Sequence, residues 1–411
     1  GYGWSLGPFE TWQAAGWKPV AQWIADDIAA GKAMSDAPLP TWVLDGRDGV
    51  HAAAGSYSPA DNALVPRSTL PVYQRQRFPD PLLGEKFDAG QTVFENDGVR
   101  MWHDGDGIAV VGFKTKMNTV SDQVLDGLQE AITIAERDFQ GLVIWQQKEP
   151  FSAGADLAGA LGALQAGKIE QFEAMVANFQ RTSQRIKYAL VPVVAAVRGL
   201  ALGGGCEFQM HSARTVAHLE SYIGLVEAGV GLLPAGGGLK ELAVRASRAA
   251  GPGGDVFAEL KKTFETVAMA KVSASALEAK ELGLLRADDL VVFNAFELLH
   301  VAKAQARALA EAGYRPPLPA RRIQAAGDVG IATFRMLLVN MLEGRFISPY
   351  DDEIATRIAT VLSGGEIDRG ALVDEEWLLK LERGHFVELA QQEKTQARIG
   401  HMLKTGKPLR N

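Results

Sequence analysis

Glycine-rich loops beside carboxylates are the features of this sequence that could do chemistry. Residues 199–207 contain three consecutive glycines, at 203–205, with Glu207 two positions further on. Glycine allows close backbone approach and unusual torsions, and a helix beginning here would present unpaired N–H groups in front of its first turn. Such N–H groups could bind a phosphate or a developing oxyanion. Alternatively, the glycines form only a closely packed turn.

A second loop, residues 151–156, has the sequence Phe-Ser-Ala-Gly-Ala-Asp and lies between a predicted strand and a predicted helix. Its small side chains leave the backbone N–H groups accessible, and Asp156 is predicted to cap the following helix. The two loops could each direct one N–H at the same carbonyl oxygen. The phosphate alternative has less support, because residues 199–207 carry neither the P-loop lysine with its serine or threonine nor a G-x-G-x-x-G pattern.

A further glutamate, Glu227, follows Glu207 by 20 residues. It lies in the apolar, glycine-rich segment 225–238, where a carboxylate is more unusual than on a solvated helix. Two carboxyl groups that share one water molecule can hold it and divide proton transfers between them, provided that one is protonated. Burial and mutual repulsion would raise the pKa of one member of such a pair.

The elements that must position these residues alternate between strand and helix, which favours an α/β core. The predicted elements are strands at 99–102 and 108–113 joined as a hairpin, a helix at 121–138, strands at 141–146 and 191–197, and a helix beginning near Gly204. Beyond residue 274 the apolar spacing is helical almost to the end of the chain.

The regions outside this core have a different composition. Residues 1–37 predict two helices, and seven prolines between 38 and 81 indicate an extended connector. The predicted organisation is a helical segment at 1–37, a proline-rich connector at 38–90, an α/β domain at 91–310 and a helical region at 311–411.

Composition excludes several classes of protein. Apolar residues make up 47% and charged residues 22%, which excludes a disordered chain. The net charge of −7 argues against a nucleic-acid partner, and no apolar run approaches the roughly 20 residues that span a membrane. Cys206 is the single cysteine, so no internal disulfide can form and a cytoplasmic location is expected. His211 and His218 could share a helix face, but they are too few for a metal site, and none is predicted.

The two loops, the three glycines before Glu207, and Glu227 in its glycine-proline segment together resemble the crotonase (enoyl-CoA hydratase/isomerase) superfamily. The resemblance extends over about residues 95–310. It implies a crotonase spiral of ββα units with a helical trimerisation region. It also implies an oxyanion hole formed by the N–H groups of Ala155 and Gly204, with Glu207 and Glu227 as the two catalytic glutamates.

The same resemblance suggests a substrate-binding set: Lys114, Lys116, Ala153 and Gly154. The lysines would meet the phosphates of coenzyme A, although an exposed lysine pair is more often a solvated edge. The sequence departs from the family after the Gly236–238 loop, where Leu239-Lys240-Glu241 replaces the common Thr-Gln-Arg. It also lacks the basic residue that often follows the Ala-Gly-Ala-Asp motif.

The flanking segments resemble a longer enzyme. Residues 1–12 are similar to the C-terminal helical domain of 3-hydroxyacyl-CoA dehydrogenases, and residues 394–411 to the tail of bacterial dehydrogenase/hydratase fusions. The resemblance implies that the chain is the C-terminal portion of such a fusion. It implies acyl-CoA thioesters as the substrate and no cofactor in this chain, with NAD bound only through an N-terminal domain. A homo-oligomer and a thiolase partner are left open.

Three functions are compatible with these features. The leading hypothesis is hydration of 2-trans-enoyl-CoA in fatty-acid β-oxidation. The second is another crotonase-type acyl-CoA reaction, such as double-bond isomerisation, and the third is a non-catalytic assembly module. Two glutamates favour hydration, since isomerising members usually keep only one and a scaffold has no need of buried carboxylates.

Overall fold

A computed structural model of the chain describes residues 6–77, 79–80, 82–87 and 90–411. The chain divides into two units, residues 1–88 and 89–411, each with its own internal contacts. The first unit contains α1 (Pro8–Ala15), α2 (Trp17–Ala29), β1 (His51–Ala52), β2 (Gly55–Ser58), β3 (Ala63–Val65) and α3 (Pro71–Gln74).

α1 begins where the sequence provides a capping group. Gly7 precedes α1, Pro8 occupies its first position, and the Glu10 carboxylate accepts a hydrogen bond from the Gly7 N–H at 2.5 Å. α2 begins at Trp17, and Pro19 fits in its first turn because the N–H groups of that turn have no partner within the helix. Within the predicted connector, β1, β2 and β3 form an antiparallel sheet.

The second unit is built on a seven-stranded sheet with the order β10-β9-β8-β7-β6-β5-β4. The strands are β4 (Gln91–Glu95), β5 (Val99–His103), β6 (Ile108–Phe113), β7 (Gly141–Trp145), β8 (Val193–Leu202), β9 (Arg214–Gly224) and β10 (Leu290–Val292). β4, β5 and β6 pair antiparallel, which confirms the predicted hairpin, and β6 to β10 pair parallel. Every residue of β7 is buried, as expected for a parallel strand covered on both faces.

β8 is the strand that carries the chain to the three glycines. The sequence predicts its end at residue 197, but β8 continues to Leu202. The register against β9 shifts between Val197 and Gly199, and Gly199 has a φ of +65°. Glycine adopts this angle without strain, so the strand bulges there and resumes pairing up to Leu202 opposite Gly224.

Helices cover the sheet and make up most of the C-terminal region. They are α4 (Asp122–Asp138), α5 (Leu157–Gln165), α6 (Ile169–Lys187), α7 (Gly204–His211), α8 (Gly238–Ala250), α9 (Val256–Ala268), α10 (Ala276–Glu281), α11 (Leu298–Glu311), α12 (Gly327–Glu343), α13 (Pro349–Leu362), α14 (Glu375–Ala390) and α15 (Glu393–Thr405). The short strands β11 (Ile323–Gln324) and β12 (Leu372–Val373) pair antiparallel.

The C-terminal helices pack directly on helices of the sheet domain and on the 3₁₀ helix that carries Glu227. α14 contacts α6 and α8, α13 contacts α8 and α9, and α15 contacts α5 and a 3₁₀ helix, Glu227–Val230. The predicted region 311–411 is therefore part of the same unit as the α/β core.

Candidate active site

Glu207 lies in the first turn of α7 and is 3% exposed. One carboxylate oxygen, Oε1, accepts hydrogen bonds from the backbone N–H groups of Gly236 at 2.7 Å and Gly238 at 2.8 Å. A side chain could not replace either glycine, since a Cβ on Gly236 would lie 2.3 Å from Glu207 Oε2 and one on Gly238 2.9 Å from Oε1. Burial raises the pKa of Glu207 to about 7, and the two N–H donors limit the rise.

Glu227 begins the 3₁₀ helix after β9. A Cβ on Gly203 would lie 3.1 Å from Glu227 Oε1, which places the Glu227 carboxyl group against the turn before α7. Among the described residues, no group forms a hydrogen bond with the buried Oε2 atom. Burial and then the charge of Glu207 raise the pKa of Glu227 well above its ordinary value. The geometry and charge therefore make Glu207 the more acidic of the two.

The two predicted loops meet at the end of β8. The Ser152 N–H donates to Leu200 O at 3.1 Å, and the Leu202 N–H donates to Ser152 O at 3.0 Å. A Cβ on Gly154 would lie 3.7 Å from the Gly204 nitrogen, so the loops touch at their glycines. Within the described part of the chain, no acceptor takes the N–H of Ala155 or of Gly204. Two unpaired donors thus lie on adjoining loops beside the two glutamates.

A third buried carboxyl group adjoins this site. Glu382 on α14 is fully buried, and its oxygens accept hydrogen bonds from the Gly237 N–H at 3.0 Å and the Lys240 N–H at 2.6 Å. Burial and the charge of Glu207 raise the pKa of Glu382 well above its ordinary value. We call Glu207, Glu227 and Glu382 the carboxylate cluster.

Buried ions of both signs lie on the other side of α8. Lys187 and Lys240 each contact the carboxylates of Glu241 and Glu375, with Lys240 at 2.7 Å and 3.1 Å. We call these four residues the ion-pair cluster. Burial alone would raise the pKa of both glutamates, but Lys240 and its neighbours lower that of Glu375 to about 2 and that of Glu241 well below its usual value.

His211 connects the two clusters. Burial lowers the pKa of His211 to about 3, so the ring is neutral. Its Nδ1 donates to the Glu207 carbonyl oxygen at 2.7 Å, and its Nε2 accepts from Lys240 Nζ at 2.9 Å. The end of α7 that carries Glu207 is therefore fastened to the ion-pair cluster.

The C-terminal helix supports the segment that carries Glu227. Thr395 Oγ1 on α15 donates to Gly231 O at 2.6 Å and contacts the Tyr350 hydroxyl at 2.6 Å. Arg398, which is 1% exposed, forms an ion pair with Asp351 at 2.7 Å. The residues that hold Glu227 in place thus come from more than 100 positions further along the chain.

The predicted substrate-binding residues occupy different surroundings. The N–H groups of Ala153 and Gly154 donate within the protein, to Met117 O at 3.2 Å and Ser152 Oγ at 3.1 Å. The Lys114 ammonium pairs with Glu95 at 2.7 Å at the sheet edge. Lys116 is exposed and has no ion-pair partner within the described part of the chain. Asp156 caps α5 through hydrogen bonds from Ala158 and Gly159, which confirms the predicted cap.

The remaining candidates do not join the site as reagents. Cys206 is fully buried, and burial raises the pKa of its thiol. The idea that His211 and His218 share a helix face is wrong, because α7 ends at His211 and His218 lies in β9. Across residues 6–77, 79–80, 82–87 and 90–411, no group of three histidine, cysteine or acidic side chains could hold a metal ion. Nor is any helix in these ranges long and apolar enough to cross a membrane.

Comparison with known proteins identifies the family. The family model described as "Enoyl-CoA hydratase/isomerase" matches residues 103–312, slightly more than half of the 411-residue chain. The chain belongs to the enoyl-CoA hydratase/isomerase family. This match contains both loops and both glutamates of the predicted site.

Named relatives of this family member include proteins of fatty-acid oxidation. A Bacillus subtilis protein named "Probable 3-hydroxyacyl-CoA dehydrogenase" is 37% identical over 414 residues, covering 100% of this chain and 50% of that protein. A Psychrobacter cryohalolentis protein, "Fatty acid oxidation complex subunit alpha", is 30% identical over 203 residues, covering 48% of this chain and 26% of that protein. The chain spans at most about half the length of these relatives.

A solved structure of an enoyl-CoA hydratase/isomerase from Mycobacterium paratuberculosis is similar in backbone. It has a TM-score of 0.49 and 20% sequence identity, and the match covers 75% of this chain and 99% of that chain.

Two residues beside Glu207, namely Phe179 and Glu382, were not predicted from the sequence. Phe179 stacks on Phe208 with ring centroids 4.9 Å apart and lies against Gly204 and Gly236, so it forms a wall beside Glu207. For Glu382, the one indication in the sequence is its spacing, because it lies between Leu379 and Leu389 on the buried face of α14.

Proposed function

We propose that the chain hydrates 2-trans-enoyl-CoA to 3-hydroxyacyl-CoA in fatty-acid β-oxidation, and that it does so within a longer polypeptide that also carries 3-hydroxyacyl-CoA dehydrogenase activity. The observation that carries this proposal is the unequal environment of the two glutamates. Glu207 has two N–H donors, whereas no described residue donates to the buried Oε2 of Glu227. Two carboxyl groups held in different protonation states suit a reaction that both removes and supplies a proton.

Glu207 is the general base in this proposal. As the water oxygen bonds to C3 of the enoyl group, the water proton passes to the Glu207 carboxylate. A pKa of about 7 keeps a large fraction of Glu207 ionised at neutral pH and still makes it a competent base. The electron pair of the double bond moves onto the thioester, which becomes an enolate.

Glu227 is the general acid. Its pKa lies well above the ordinary value, so the carboxyl group enters the reaction protonated and donates its proton to C2. The product has gained one water, with the hydroxyl at C3 and the hydrogen at C2. Glu207 is then protonated and Glu227 ionised, and a proton transfer from the first to the second restores the resting state.

The Ala155 and Gly204 N–H groups would stabilise the enolate oxygen. Both are unpaired among the described residues and lie on touching loops. Preorganised backbone donors of this kind contribute roughly 2.7–4 kcal/mol each to the stabilisation of an oxyanion in comparable sites. The arrangement requires no metal ion in any step.

The test is hydration of crotonyl-CoA, followed by the loss of ultraviolet absorbance of the conjugated thioester, with the 3-hydroxyacyl product identified by mass spectrometry. A 3-enoyl-CoA offered in parallel measures double-bond isomerisation. Hydration of the first substrate at a rate far above isomerisation of the second supports the proposal. Isomerisation without hydration would contradict it, and inactivity on both would favour the assembly module.

We further propose that acyl-CoA thioesters are the ligands of this chain, that it takes up no cofactor of its own and that NAD binds only through an N-terminal domain of the longer polypeptide. None of the glycine-rich segments 203–205, 236–238 and 251–254 carries the dinucleotide-binding pattern. Calorimetric titration should give saturable binding of acetoacetyl-CoA and no saturable heat with NAD. Micromolar binding of NAD would overturn this part. A homo-oligomer and a thiolase partner stay predictions.

A further inference from the structure

The turn from Gly236 to Lys240 divides its backbone donors between two carboxyl groups. The N–H groups of Gly236 and Gly238 donate to Glu207, at 2.7 Å and 2.8 Å. Those of Gly237 and Lys240 donate to Glu382, at 3.0 Å and 2.6 Å. The first turn of α8 has no capping side chain of its own, so both carboxyl groups act as its partners.

This division makes the two sets of hydrogen bonds interdependent. Gly237 has a φ of +104°, which glycine adopts without the steric cost that a side chain would add. Because Gly237 lies between the two residues that donate to Glu207, its position decides where their N–H groups point. The hydrogen bonds to Glu382 fix that position from α14.

Glu382 is itself held in place. Gln180 on α6 forms its hydrogen bond with the Leu379 carbonyl oxygen at 2.8 Å and lies 3.5 Å from Glu382 Oε2. The Arg383 guanidinium, next in sequence, donates to Gln180 Oε1 at 2.7 Å and does not form an ion pair with Glu382. The Glu382 carboxyl group therefore forms its shortest hydrogen bonds with the 236–240 turn.

We propose that Glu382 is a positioning residue for the hydration reaction, which holds the 236–240 turn so that the Gly236 and Gly238 N–H groups stay directed at Glu207. The inference rests on the proposed function of Glu207 as the base. Glu382 belongs to the helical region beyond the residues that the family model matches. The C-terminal helices thus complete the site rather than only cover it.

Several charged groups surround this turn and could influence its titration. They are Glu207 and His211 on α7, Glu227 on the 3₁₀ helix, Lys240 and Glu241 on α8, Lys187 on α6, and Glu375 and Arg383 on α14. Within the ion-pair cluster, the two lysines and the two glutamates are paired with one another. Burial and then the charge of Glu207 raise the pKa of Glu382 well above its ordinary value.

The decisive variant is Glu382→Gln. An amide has one acceptor oxygen instead of two, so either the Gly237 or the Lys240 N–H loses its partner. The turn then loosens, the donors to Glu207 are less well aligned, and the pKa of Glu207 rises. The acidic limb of the pH profile of kcat/KM should move upward by about one pH unit, which is a loss of about tenfold in rate below the limb.

A measurement that needs no turnover accompanies the kinetics. The carboxyl carbon of Glu207, labelled with carbon-13 and assigned with Glu207→Gln, should titrate at higher pH in Glu382→Gln than in the native protein. If the native protein does not hydrate crotonyl-CoA, the proposed function fails, but this titration still decides whether Glu382 controls Glu207.

Two control variants separate positioning from simple destabilisation. Glu388→Gln, on the exposed side of the same helix, should leave both the pH limb and the rate unchanged. Leu128→Ala, in the core of α4, should lower the melting temperature and leave the limb in place. A Glu382→Gln variant that behaved like Leu128→Ala would overturn the proposal, since Glu382 would then be only structural.

The direction of the shift is equally decisive. A downward shift would mean that Glu382 acts by its negative charge and not by holding the turn, and would overturn the proposal. If Glu382→Gln does not fold, Glu382→Asp takes its place, because it keeps both oxygens and shortens the side chain by one methylene. An upward shift is expected for Glu382→Asp too, and an unshifted limb would contradict the proposal.

Discussion

The carboxylate cluster and the ion-pair cluster lie on either side of the first turn of α8 and differ in their charge balance. In the ion-pair cluster two lysines face two glutamates, and the pKa values of both glutamates are lowered despite burial. No described cation forms an ion pair with Glu207, Glu227 or Glu382. There burial raises the pKa values of all three.

The difference shows that burial by itself does not decide what a glutamate does. With lysines in contact, Glu241 and Glu375 have pKa values below the ordinary range, so they stay ionised at neutral pH and are poorly suited to exchange protons. Without a cation in contact, the pKa of a buried carboxylate moves toward neutrality, and the group can exchange protons with a substrate. The first turn of α8 therefore adjoins a structural cluster and a chemical one, and the two lysines of the ion-pair cluster are the main difference between them.

The largest expected effect comes from removing an ionisable group of the carboxylate cluster. Glu207→Gln and Glu227→Gln should each lower kcat for crotonyl-CoA hydration by about 10²–10⁴-fold, since each removes one proton transfer. The effects should be less than additive in the double variant, because both side chains serve one water. Thermal unfolding should remain native-like. Near-normal rates in both single variants would show that the two-glutamate mechanism is wrong.

The matching change in the ion-pair cluster should affect stability instead. Lys187→Met leaves Glu241 and Glu375 with one cation between them, and breaking a buried pair of this kind costs about 3–5 kcal/mol in the free energy of unfolding. Urea denaturation measures this loss of unfolding free energy. The control is Lys262→Met, whose lysine is 65% exposed beside Glu259 and should cost about 1 kcal/mol or less. Equal losses of unfolding free energy in Lys187→Met and Lys262→Met would show that the buried ion pairs stabilise the fold no more than an exposed pair.

The two clusters should give stability opposite dependence on pH. The folded pKa of Glu207, about 7, exceeds its ordinary 4.5, so its favourable contribution is complete below pH 4.5 and is lost as pH rises through 7, by roughly 3 kcal/mol. Glu375 has a lowered pKa, so its contribution is present above pH 4.5 and is lost as pH falls toward 2.

Urea denaturation at a series of pH values tests these signs. Glu207→Gln should reduce the decline between pH 4.5 and 7, to which Glu227 and Glu382 also contribute because their pKa values are raised too. Glu375→Gln should reduce the loss of stability in acid. A wild-type protein whose stability rose steadily from pH 4.5 to 8 and was unaffected by Glu207→Gln would contradict the assignment for Glu207.

The smallest expected effect concerns the support of Glu227. Thr395→Val keeps the shape of the side chain but leaves Gly231 O without its donor, at a cost of about 1–3 kcal/mol. Because Glu227 lies in the same segment, kcat should fall several-fold with little change in KM. Thr333→Val on α12, whose hydroxyl bonds only within its own helix, should leave kcat unchanged. A loss confined to KM would mean that Thr395 does not act through Glu227.

Local sequence patterns were sufficient to predict the central strands and helices and to single out Glu207 and Glu227. Alternation, caps and glycines predicted the hairpin of β5 and β6, the start of α7 at Gly204 and the cap at Asp156. Each depends on residues within a few positions of one another, so the sequence displays it directly. The end of β8 was misplaced because a glycine inside a strand resembles a turn, and only pairing with β9 shows that the strand continues.

Tertiary structure alone decided the electrostatics of the site. In sequence, Glu207, Glu241, Glu375 and Glu382 are the same residue type on helices, and nothing near them distinguishes an ionised group from a protonated one. Their pKa values depend on partners up to 188 residues away, as with Glu375 and Lys187. The sequence determined the strands, turns and helix starts that carry Glu207 and Glu227, since apolar spacing and glycines are local features. The charge state of each buried carboxyl depended on which cations and N–H groups the fold brought to it, because Coulomb and hydrogen-bond energies depend on distance in space.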